Sequence, residues 1–275
     1  MGIMLYNIFG VDEMKIMVLA SGSRGNSTYL QIGNQHVLMD VGISLRQIQE
    51  RLKVLSLELT RLDAVFITHE HGDHVAGLVT IAKKFQMPIY CSLGTYKNLP
   101  RTIAERVDAS LFRFIEFNLP VLFDGFSALP FMTYHDALEP TGYRFNEEGK
   151  SLVYMTDTGY FPENRYDLLR NADIYIVESN HEPDLLLDSD RPWVLKRRIL
   201  DDQGHLSNED SAFLLMNLLG PNTKRIILAH LSEECNTESH ALNTYSRIFQ
   251  KQGLVLEDYS IICAKQHTAL PVIDL

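Results

Sequence analysis

The sequence has few cysteines and no long run of apolar residues. Its 275 residues include only Cys91, Cys235 and Cys263, which are odd in number, lie far apart and form no CxxC pair. This usage argues against a disulfide scaffold and is typical of the reducing cytoplasm. No stretch approaches the roughly 20 apolar residues of a membrane-spanning helix. We therefore expect a cytoplasmic protein without a membrane-spanning segment.

Positive charge is also scarce. The chain has 25 Lys and Arg against 35 Asp and Glu, a formal net charge of −10. Such a balance does not by itself indicate a nucleic-acid partner. One basic cluster stands out, Lys196, Arg197 and Arg198 next to Trp193. It is either a phosphate-binding group or a solvated helix face.

The first thirteen residues differ from the rest. They are mildly apolar, Asp12 and Glu13 interrupt them, and no basic leader precedes them, so they do not resemble a signal peptide. We interpret residues 1–13 as an N-terminal extension. Residues 14–275 are long enough to bury a full core and are expected to form a single domain.

The most informative segment of the chain is the run His69-Glu70-His71-Gly72-Asp73-His74. It follows the apolar segment 62–68 (LDAVFIT), which is typical of a buried strand. Imidazole and carboxylate are the ligands that zinc, iron and manganese accept in proteins. A tight loop can direct these side chains to two sides, so one loop could supply two neighbouring metal sites.

Further potential ligands occur where other apolar runs end. His135 follows FMTY, Asp157 follows SLVYMT, and His230 follows RIILA. Each position suits a site built at one edge of a sheet. Taken singly, each residue could equally be a turn former or a cap. Together with the histidine-rich loop they predict a dinuclear metal centre.

The order HxHxDH, His, Asp, His resembles the metallo-β-lactamase superfamily over nearly the whole chain from about Lys15. The motif around Asp40 (VLMDVG) resembles the superfamily's early Asp-x-Gly. The segments 18–28 (VLASGSRGNST), 156–160 (TDTGY) and 178–181 (ESNH) are similar, more narrowly, to the YycJ/WalJ group of bacterial DNA exonucleases. The resemblance implies an α/β (α+β) fold, a four-layer αββα sandwich, which the pattern of strands and helices permits.

The same resemblance implies a role for each candidate residue. Asp157 would bridge two divalent metal ions, zinc or manganese, with iron possible. A hydroxide shared by the two metals would be the nucleophile, because water between two cations loses a proton near neutral pH. Asp40, and with it His181, would support the ligands without binding metal. The implied ligands are His69, His71 and His135 for the first metal, and Asp73, His74 and His230 for the second.

The chemistry is expected to be hydrolytic. Superfamily members with redox di-iron sites usually carry an acidic residue where this chain has His71. The segment 204–212 (GHLSNEDSA) resembles the part of ribonuclease Z that carries a catalytic histidine, and Glu178 resembles its carboxylate partner. We therefore take His205, Glu178 and Asp73 as the catalytic residues, with His205 as general acid for the leaving oxygen of a phosphodiester.

The resemblance to the YycJ/WalJ group implies a metal-dependent phosphodiesterase, a 5′–3′ DNA exonuclease with DNA as its partner. A hydrolase of small esters, thioesters or lactones would use the same seven ligands but would need neither His205 nor the basic cluster. A non-enzymatic protein on the same fold is the remaining alternative. Oligomeric state is not predicted.

Local patterns also place several elements. Ser44-x-x-Gln47 predicts a capping box before a helix, and Ser207-x-x-Asp210 predicts a second helix start. Segments 15–21, 28–32 and 36–40 are typical of an opening meander of strands. Segment 185–190, leucine-rich and then acidic, is expected to be a loop near the site.

Overall fold

The computed structural model describes residues 14–275, and the predicted extension, residues 1–13, lies outside them. The described chain opens with three consecutive strands, carries α-helices between strands in two later regions, and has a run of five consecutive strands between those regions. The strands are β1 (Lys15–Ala20), β2 (Ser27–Ile32), β3 (Gln35–Met39), β4 (Ala64–Phe66), β5 (Ile89–Cys91), β6 (Phe112–Phe114), β7 (Val121–Leu122), β8 (Ser127–Met132), β9 (Thr141–Glu147), β10 (Lys150–Met155), β11 (Ile174–Glu178), β12 (Arg225–Ala229), β13 (Ser260–Cys263) and β14 (Ile273–Asp274).

Within residues 14–275, the α-helices lie in five of the thirteen connections between strands. The α-helices are α1 (Leu45–Val54), α2 (Gly72–Val75), α3 (Leu78–Phe85), α4 (Leu93–Lys97), α5 (Arg101–Ala104), α6 (Pro183–Asp188), α7 (Trp193–Leu200), α8 (Asn208–Leu218) and α9 (Glu238–Lys251). Short 3₁₀ helices cover Ala109–Leu111, Glu163–Leu168 and Leu256–Asp258. Among residues 14–275, no helix combines the length and apolar character needed to cross a membrane.

Local sequence signals account for two of the helix starts. The Ser44 side chain accepts from the Gln47 amide and the Gln47 side chain accepts from the Ser44 amide, so the predicted capping box before α1 is confirmed. Ser207 accepts from the Asp210 amide at the start of α8, as predicted. Each cap satisfies amides that the first helical turn leaves without partners.

The predicted loop at 185–190 is wrong for most of its length, because α6 extends to Asp188. Pro183 occupies the first turn of this helix, where its missing N–H costs nothing. The side chain of Leu186 is fully buried against Ile199 and Cys235, which holds the helix to the fold. Tertiary packing therefore decides the conformation of a segment whose composition suggests a loop.

Two seven-stranded sheets share one topology. Their strand orders are β14-β1-β2-β3-β4-β5-β6 and β13-β12-β11-β10-β9-β8-β7. In the first, β1–β3 pair antiparallel and β3–β6 parallel; in the second, β8–β10 pair antiparallel and β10–β13 parallel. An antiparallel strand, β14 or β7, flanks each six-stranded unit. The fold is therefore built from two units of the same strand order, β1–β6 and β8–β13.

The sheets face each other across a buried layer, and helices cover their outer faces. Phe66 is fully buried in the central layer and packs edge-on against Tyr143 and Phe145 of the opposite sheet. Burial of a large aromatic side chain stabilises a fold by roughly 1.5–3 kcal/mol. Separate apolar layers join the first sheet to α1 and α3, and the second to α8 and α9. The predicted four-layer αββα sandwich is confirmed.

Candidate metal centre

The predicted ligands lie at the carboxyl ends of the parallel strands. Asp40 follows β3 and His69 follows β4 in the first sheet, while Asp157 follows β10 and His230 follows β12 in the second. Because the sheets face each other, these ends form one shared edge. Side chains distant in sequence meet there, which is the usual place for a site in a fold with parallel strands.

Asp40 organises the histidine-rich loop. Its carboxylate is fully buried and accepts from the Thr68 amide (2.9 Å) and from Nδ1 of His74 (2.8 Å). The backbone of Asp40 adopts a left-handed conformation with φ +53°. Gly42 is required two residues later, because a Cβ there would lie 1.6 Å from the Asp73 carbonyl oxygen. The Asp-x-Gly motif thus places the loop and one ligand at the same time.

The second unit repeats this motif at Asp157-Thr158-Gly159. Asp157 also follows the third strand of its unit and also has a left-handed backbone, φ +57°. A Cβ on Gly159 would lie 2.4 Å from the carbonyl oxygens of Asp201 and Asp202. Left-handed backbone is costly for residues other than glycine and concentrates at functional sites. His230, with φ +55°, is a third case at the same edge.

The structure brings the seven predicted ligands into overlapping groups. Within each group the potential ligand atoms lie within 4.8 Å of one another. Asp157 lies between the groups, with its oxygens 3.4 Å from His74 Nε2, 3.5 Å from His230 Nε2 and 3.8 Å from His135 Nε2. Two of the groups are His69, His71 and His135 on one side, and Asp73, His74 and His230 on the other. A third joins His69, His74 and Asp157, and a fourth joins Asp157 and His230 with Glu178 and His205.

Hydrogen bonds hold four of the imidazoles by Nδ1. His74 Nδ1 donates to Asp40, His135 Nδ1 to the Gly204 carbonyl (3.0 Å), and His230 Nδ1 faces Glu178 Oε1 (3.2 Å). His69 Nδ1 lies 3.1 Å from the Thr68 hydroxyl. In each case Nε2 belongs to the shared space, where His69 Nε2 lies 3.0 Å from His71 Nδ1 and His74 Nε2 lies 3.0 Å from the Asn26 side-chain nitrogen. Anchoring the remote nitrogen is how proteins orient metal-binding histidines.

Buried polar atoms in the centre have no partner among the described residues. Asp157 Oδ2 and His230 Nε2 are both inaccessible to solvent and make no hydrogen bond. Such atoms cost free energy unless something binds them. A cation contacted by both atoms would satisfy them, so the donor set fits a divalent metal.

The two sides of the centre differ in charge. Burial, with the imidazoles of His74 and His135, holds the pKa of His69 well below its usual value. Burial also lowers the pKa of His135. Burial alone would lower the pKa of His74 and of His230, but surrounding carboxylates raise both well above the usual value. The second side therefore has an excess of negative charge that favours a cation.

Glu178 and His205 form a pair beside the ligands. Glu178 closes β11, is fully buried, and accepts from His205 Nδ1 at 2.7 Å. Burial alone would raise the pKa of Glu178, but His205 and His230 lower it overall, so the carboxylate is ionised. The His205 ring stacks on His230 at 5.2 Å and lines a cavity of about 320 Å³. Glu178 thus orients one predicted ligand and the predicted general acid together.

Lys196 lies elsewhere than predicted, and the supporting role of His181 stays a prediction. The buried His181 bridges to Ser207 at the start of α8 and belongs to none of the ligand groups; burial lowers its pKa to about 4. Lys196 is 9% exposed, and its Nζ donates to the Leu187 carbonyl at the end of α6 (2.6 Å). The prediction that Lys196 binds phosphate is therefore wrong, because its ammonium is used inside the fold. Of the three basic residues, only Arg197 and Arg198 are exposed. Arg198 in turn binds Asp136 at 2.5 and 2.9 Å.

Two asparagines at the site had no predicted role. The side-chain nitrogen of Asn26, Nδ2, lies 3.0 Å from His74 Nε2 and 3.4 Å from Asp73 Oδ2. The Asn180 amide nitrogen donates to the His230 carbonyl (2.8 Å) and lies 3.1 Å from His230 Nδ1. Both residues fall within motifs that carried the resemblance, 18–28 and 178–181. Their place in those motifs was the available signal.

Comparison with known proteins agrees with this geometry. The family described as Beta-lactamase superfamily domain matches residues 35–231. The chain is 36% identical over 263 residues to exodeoxyribonuclease WalJ of Streptococcus pneumoniae, covering 95% of this chain and 98% of that protein. The chain belongs to the metallo-β-lactamase superfamily. It is also 33% identical to exodeoxyribonuclease YycJ of Bacillus anthracis over 236 residues, 86% of this chain and 89% of the other.

Solved structures show the same superfamily fold. The metallo-β-lactamase fold protein YhfI from Bacillus subtilis superposes with a TM-score of 0.69 at 17% identity, covering 94% of this chain and 99% of that one. Membership of the metallo-β-lactamase superfamily, together with the groups of histidine and aspartate, makes this edge of the sandwich a divalent metal site. The protein is a metal-dependent hydrolase.

Proposed function

We propose that the chain is a metal-dependent DNA exonuclease that holds two divalent metal ions. The observation that carries the proposal is the pair Glu178 and His205 beside the ligands, with His205 lining an open cavity. The relatives named exodeoxyribonuclease, at 33–36% identity over most of the chain, support DNA as the substrate.

His69, His71 and His135 would hold the first metal ion, and Asp73, His74 and His230 the second, with Asp157 between them. Five imidazoles with two carboxylates suit zinc, manganese or iron. Bound divalent cations supply Lewis-acid activation of the phosphodiester and of water near neutral pH. Elemental analysis of gently purified protein tests the count, for which we expect about two metal ions per chain.

Glu178 and His205 would together supply the proton that the leaving oxygen needs. Glu178 accepts the Nδ1 proton of His205 and fixes the ring, so His205 Nε2 can carry a proton towards the cavity. Donation of that proton to the leaving oxygen of the cleaved strand is general acid catalysis, worth roughly 10²–10⁴-fold. The small-ester alternative is expected to need no contribution from His205.

The decisive experiment compares wild type with His205→Ala. Purified protein is incubated with Zn²⁺ or Mn²⁺ and duplex DNA, single-stranded DNA or RNA, each labelled at the 5′ or 3′ end. We expect stepwise release from the 5′ end of DNA, reduced about 10²–10⁴-fold in the variant with its metal content unchanged. A thioester and a lactone serve as parallel substrates.

Two outcomes would overturn the proposal. Hydrolysis of the thioester or lactone without cleavage of DNA would identify a small-ester hydrolase. Loss of metal in His205→Ala would make His205 a ligand or structural residue instead of a proton donor.

A cytoplasmic location is part of the proposal. The three cysteines are buried free thiols, which is the form expected in a reducing compartment.

A further inference from the structure

An exposed tryptophan lies close to the metal centre and has no part in the mechanism above. Trp193 is the only tryptophan of the chain. At the first turn of α7 it is 63% exposed, and its neighbour Val194 is 82% exposed. Tryptophan is usually buried for most of its surface. Exposed apolar side chains grouped beside a functional site are typical of a binding surface.

The position of Trp193 links it to the predicted ligands. A cavity of about 430 Å³, the Trp193 cavity, lies along this face of α7. Asp136 Oδ1, in its wall, is 3.3 Å from His135 Nε2. Arg198 binds Asp136 and also lines the adjoining cavity that contains His205. The Trp193 cavity is lined by Asp136, Trp193, Val194, Arg197, Arg198 and Asp201, among others.

The charges of the Trp193 cavity are nearly balanced. Arg198 is paired with Asp136. Arg197 is exposed and makes no hydrogen bond or ion pair with any residue from 14 to 275, but Asp201, which follows α7 and also lines the cavity, offsets its charge. Attraction of phosphate alone is therefore weak here. A ligand must gain most of its affinity from the indole and the neighbouring Val194.

A single strand of nucleic acid has both features that the cavity can use. Its unpaired bases expose a flat face that stacks on indole, and its phosphates follow the strand within reach of a free arginine. Bases within a duplex are stacked on their neighbours and present only edges. Arg198 lines both this cavity and the cavity that contains His205, which would place such a nucleotide beside the bond that is cleaved.

We propose that the Trp193 cavity binds an unpaired nucleotide of the DNA strand that flanks the cleaved bond. The base stacks on the Trp193 indole, and its phosphate approaches Arg197. This inference rests on the proposed nuclease function and adds to it a preference for a single-stranded segment at the metal centre.

Because Trp193 is the only tryptophan, its fluorescence reports on the cavity directly. The metal-loaded protein is titrated with single-stranded DNA whose linkages are phosphorothioates, so that binding is read with cleavage suppressed. We expect saturable quenching by the single strand and little quenching by a blunt duplex of equal length. Equal quenching by both would overturn the preference.

Variants test stacking by the affinity for labelled single strands. Trp193→Ala should weaken binding about 5- to 100-fold, the usual worth of one base–aromatic contact, and Trp193→Phe should retain most of it. Phe114→Ala is the matched control, because Phe114 is 52% exposed on the edge strand β6. Equal effects of Trp193→Ala and Phe114→Ala would reject a specific contact.

Strands with one missing base locate the contact. Wild type should lose affinity when a particular base near the strand end is removed, and Trp193→Ala should not respond to that removal. If the variant responds as wild type does, the base does not stack on Trp193. Cleavage assays on the same strands separate the two proposals: cleavage without any Trp193 dependence refutes the cavity alone, and stacking without cleavage by any metal-loaded sample refutes the nuclease.

Discussion

The two six-stranded units use the same backbone device for different purposes. In β1–β6, both carboxylate oxygens of Asp40 accept hydrogen bonds, one from Thr68 and one from His74, and so hold the histidine-rich loop. In β8–β13, Asp157 occupies the equivalent place, yet its Oδ2 makes no hydrogen bond with any described residue and lies 3.4 Å from His74 Nε2. Both aspartates have a left-handed backbone, but Asp40 supports the ligand loop, whereas Asp157 is the candidate bridge between two metal ions.

The connections that follow differ in the same way. Between β4 and β5, the first unit carries the loop with His69, His71, Asp73 and His74. Between β11 and β12, the second carries α6, α7 and α8, with His205 and the exposed arginines. With the same topology, the first connection carries four of the predicted metal ligands, and the second carries the residues proposed to contact substrate. Strand order thus fixes where a site lies, while the connections decide its chemistry.

Asp157→Ala should have the largest effect in this comparison. Removing the shared carboxylate leaves two cations with less charge between them, so we expect loss of most of one metal equivalent and of nearly all hydrolysis. Elemental analysis and the DNA assay measure these. Asp188→Ala, which removes an exposed carboxylate of α6, is the control. If Asp157→Ala keeps the metal content of wild type, Asp157 is not a bridge.

Asp40→Asn should have a smaller effect, because Asp40 acts through His74. The Asp40 carboxylate orients His74 through a hydrogen bond, and removing such a group typically lowers metal affinity about 10–100-fold. Competition with a chromogenic chelator measures that change. Asp173→Asn is the matched control: Asp173 is also buried, but it binds the Ser151 amide at the start of β10. A loss as large as that of Asp157→Ala would make the two aspartates equal in role.

The two sides of the centre should also respond differently to pH. The raised pKa values of His74 and His230 mean that protons remain bound to these rings at higher pH and compete with metal. The lowered pKa values of His69 and His135 mean that their competition begins only in more acid solution.

The His135→Ala variant keeps the ligands of the second side intact, and the Asp73→Ala variant keeps those of the first. The metal affinity of His135→Ala should therefore fall more steeply than that of Asp73→Ala as pH decreases through neutrality. Chelator competition from about pH 8.5 down to 5.5 compares them. Parallel curves would show that the charge difference between the sides is too small to matter.

The smallest effect is expected for the basic cluster. Arg197→Ala should reduce the slope of log affinity against log salt by about 0.7 for single-stranded DNA, one phosphate contact. Lys196→Ala should leave that slope unchanged and lower the free energy of unfolding, because the Lys196 ammonium binds the Leu187 carbonyl inside the fold. A change of slope in Lys196→Ala would restore Lys196 to the phosphate-binding group.

Signals within a few residues allowed much of the fold to be predicted. Capping at Ser44 and Ser207 depends on contacts three residues apart, and an apolar run ending in His69 or His230 can be read directly. The environment of Lys196 depends on Leu187, which α6 brings to it, and α6 is itself held by tertiary packing. The roles of Asn26 and Asn180 likewise depend on contacts with distant chain segments.

The pairing of β1 with β14 has a consequence for how the chain acquires its structure. Lys15 pairs with Asp274, and Ile16 with Ile273, so the flanking strand of the first sheet is added from the far side of the sequence. Contacts of such long sequence separation slow folding. His230 also reaches the centre late in synthesis. We expect a nascent chain that has emerged as far as β10 to hold an incomplete first sheet and five of the seven predicted ligands, a state in which exposed strand edges invite aggregation.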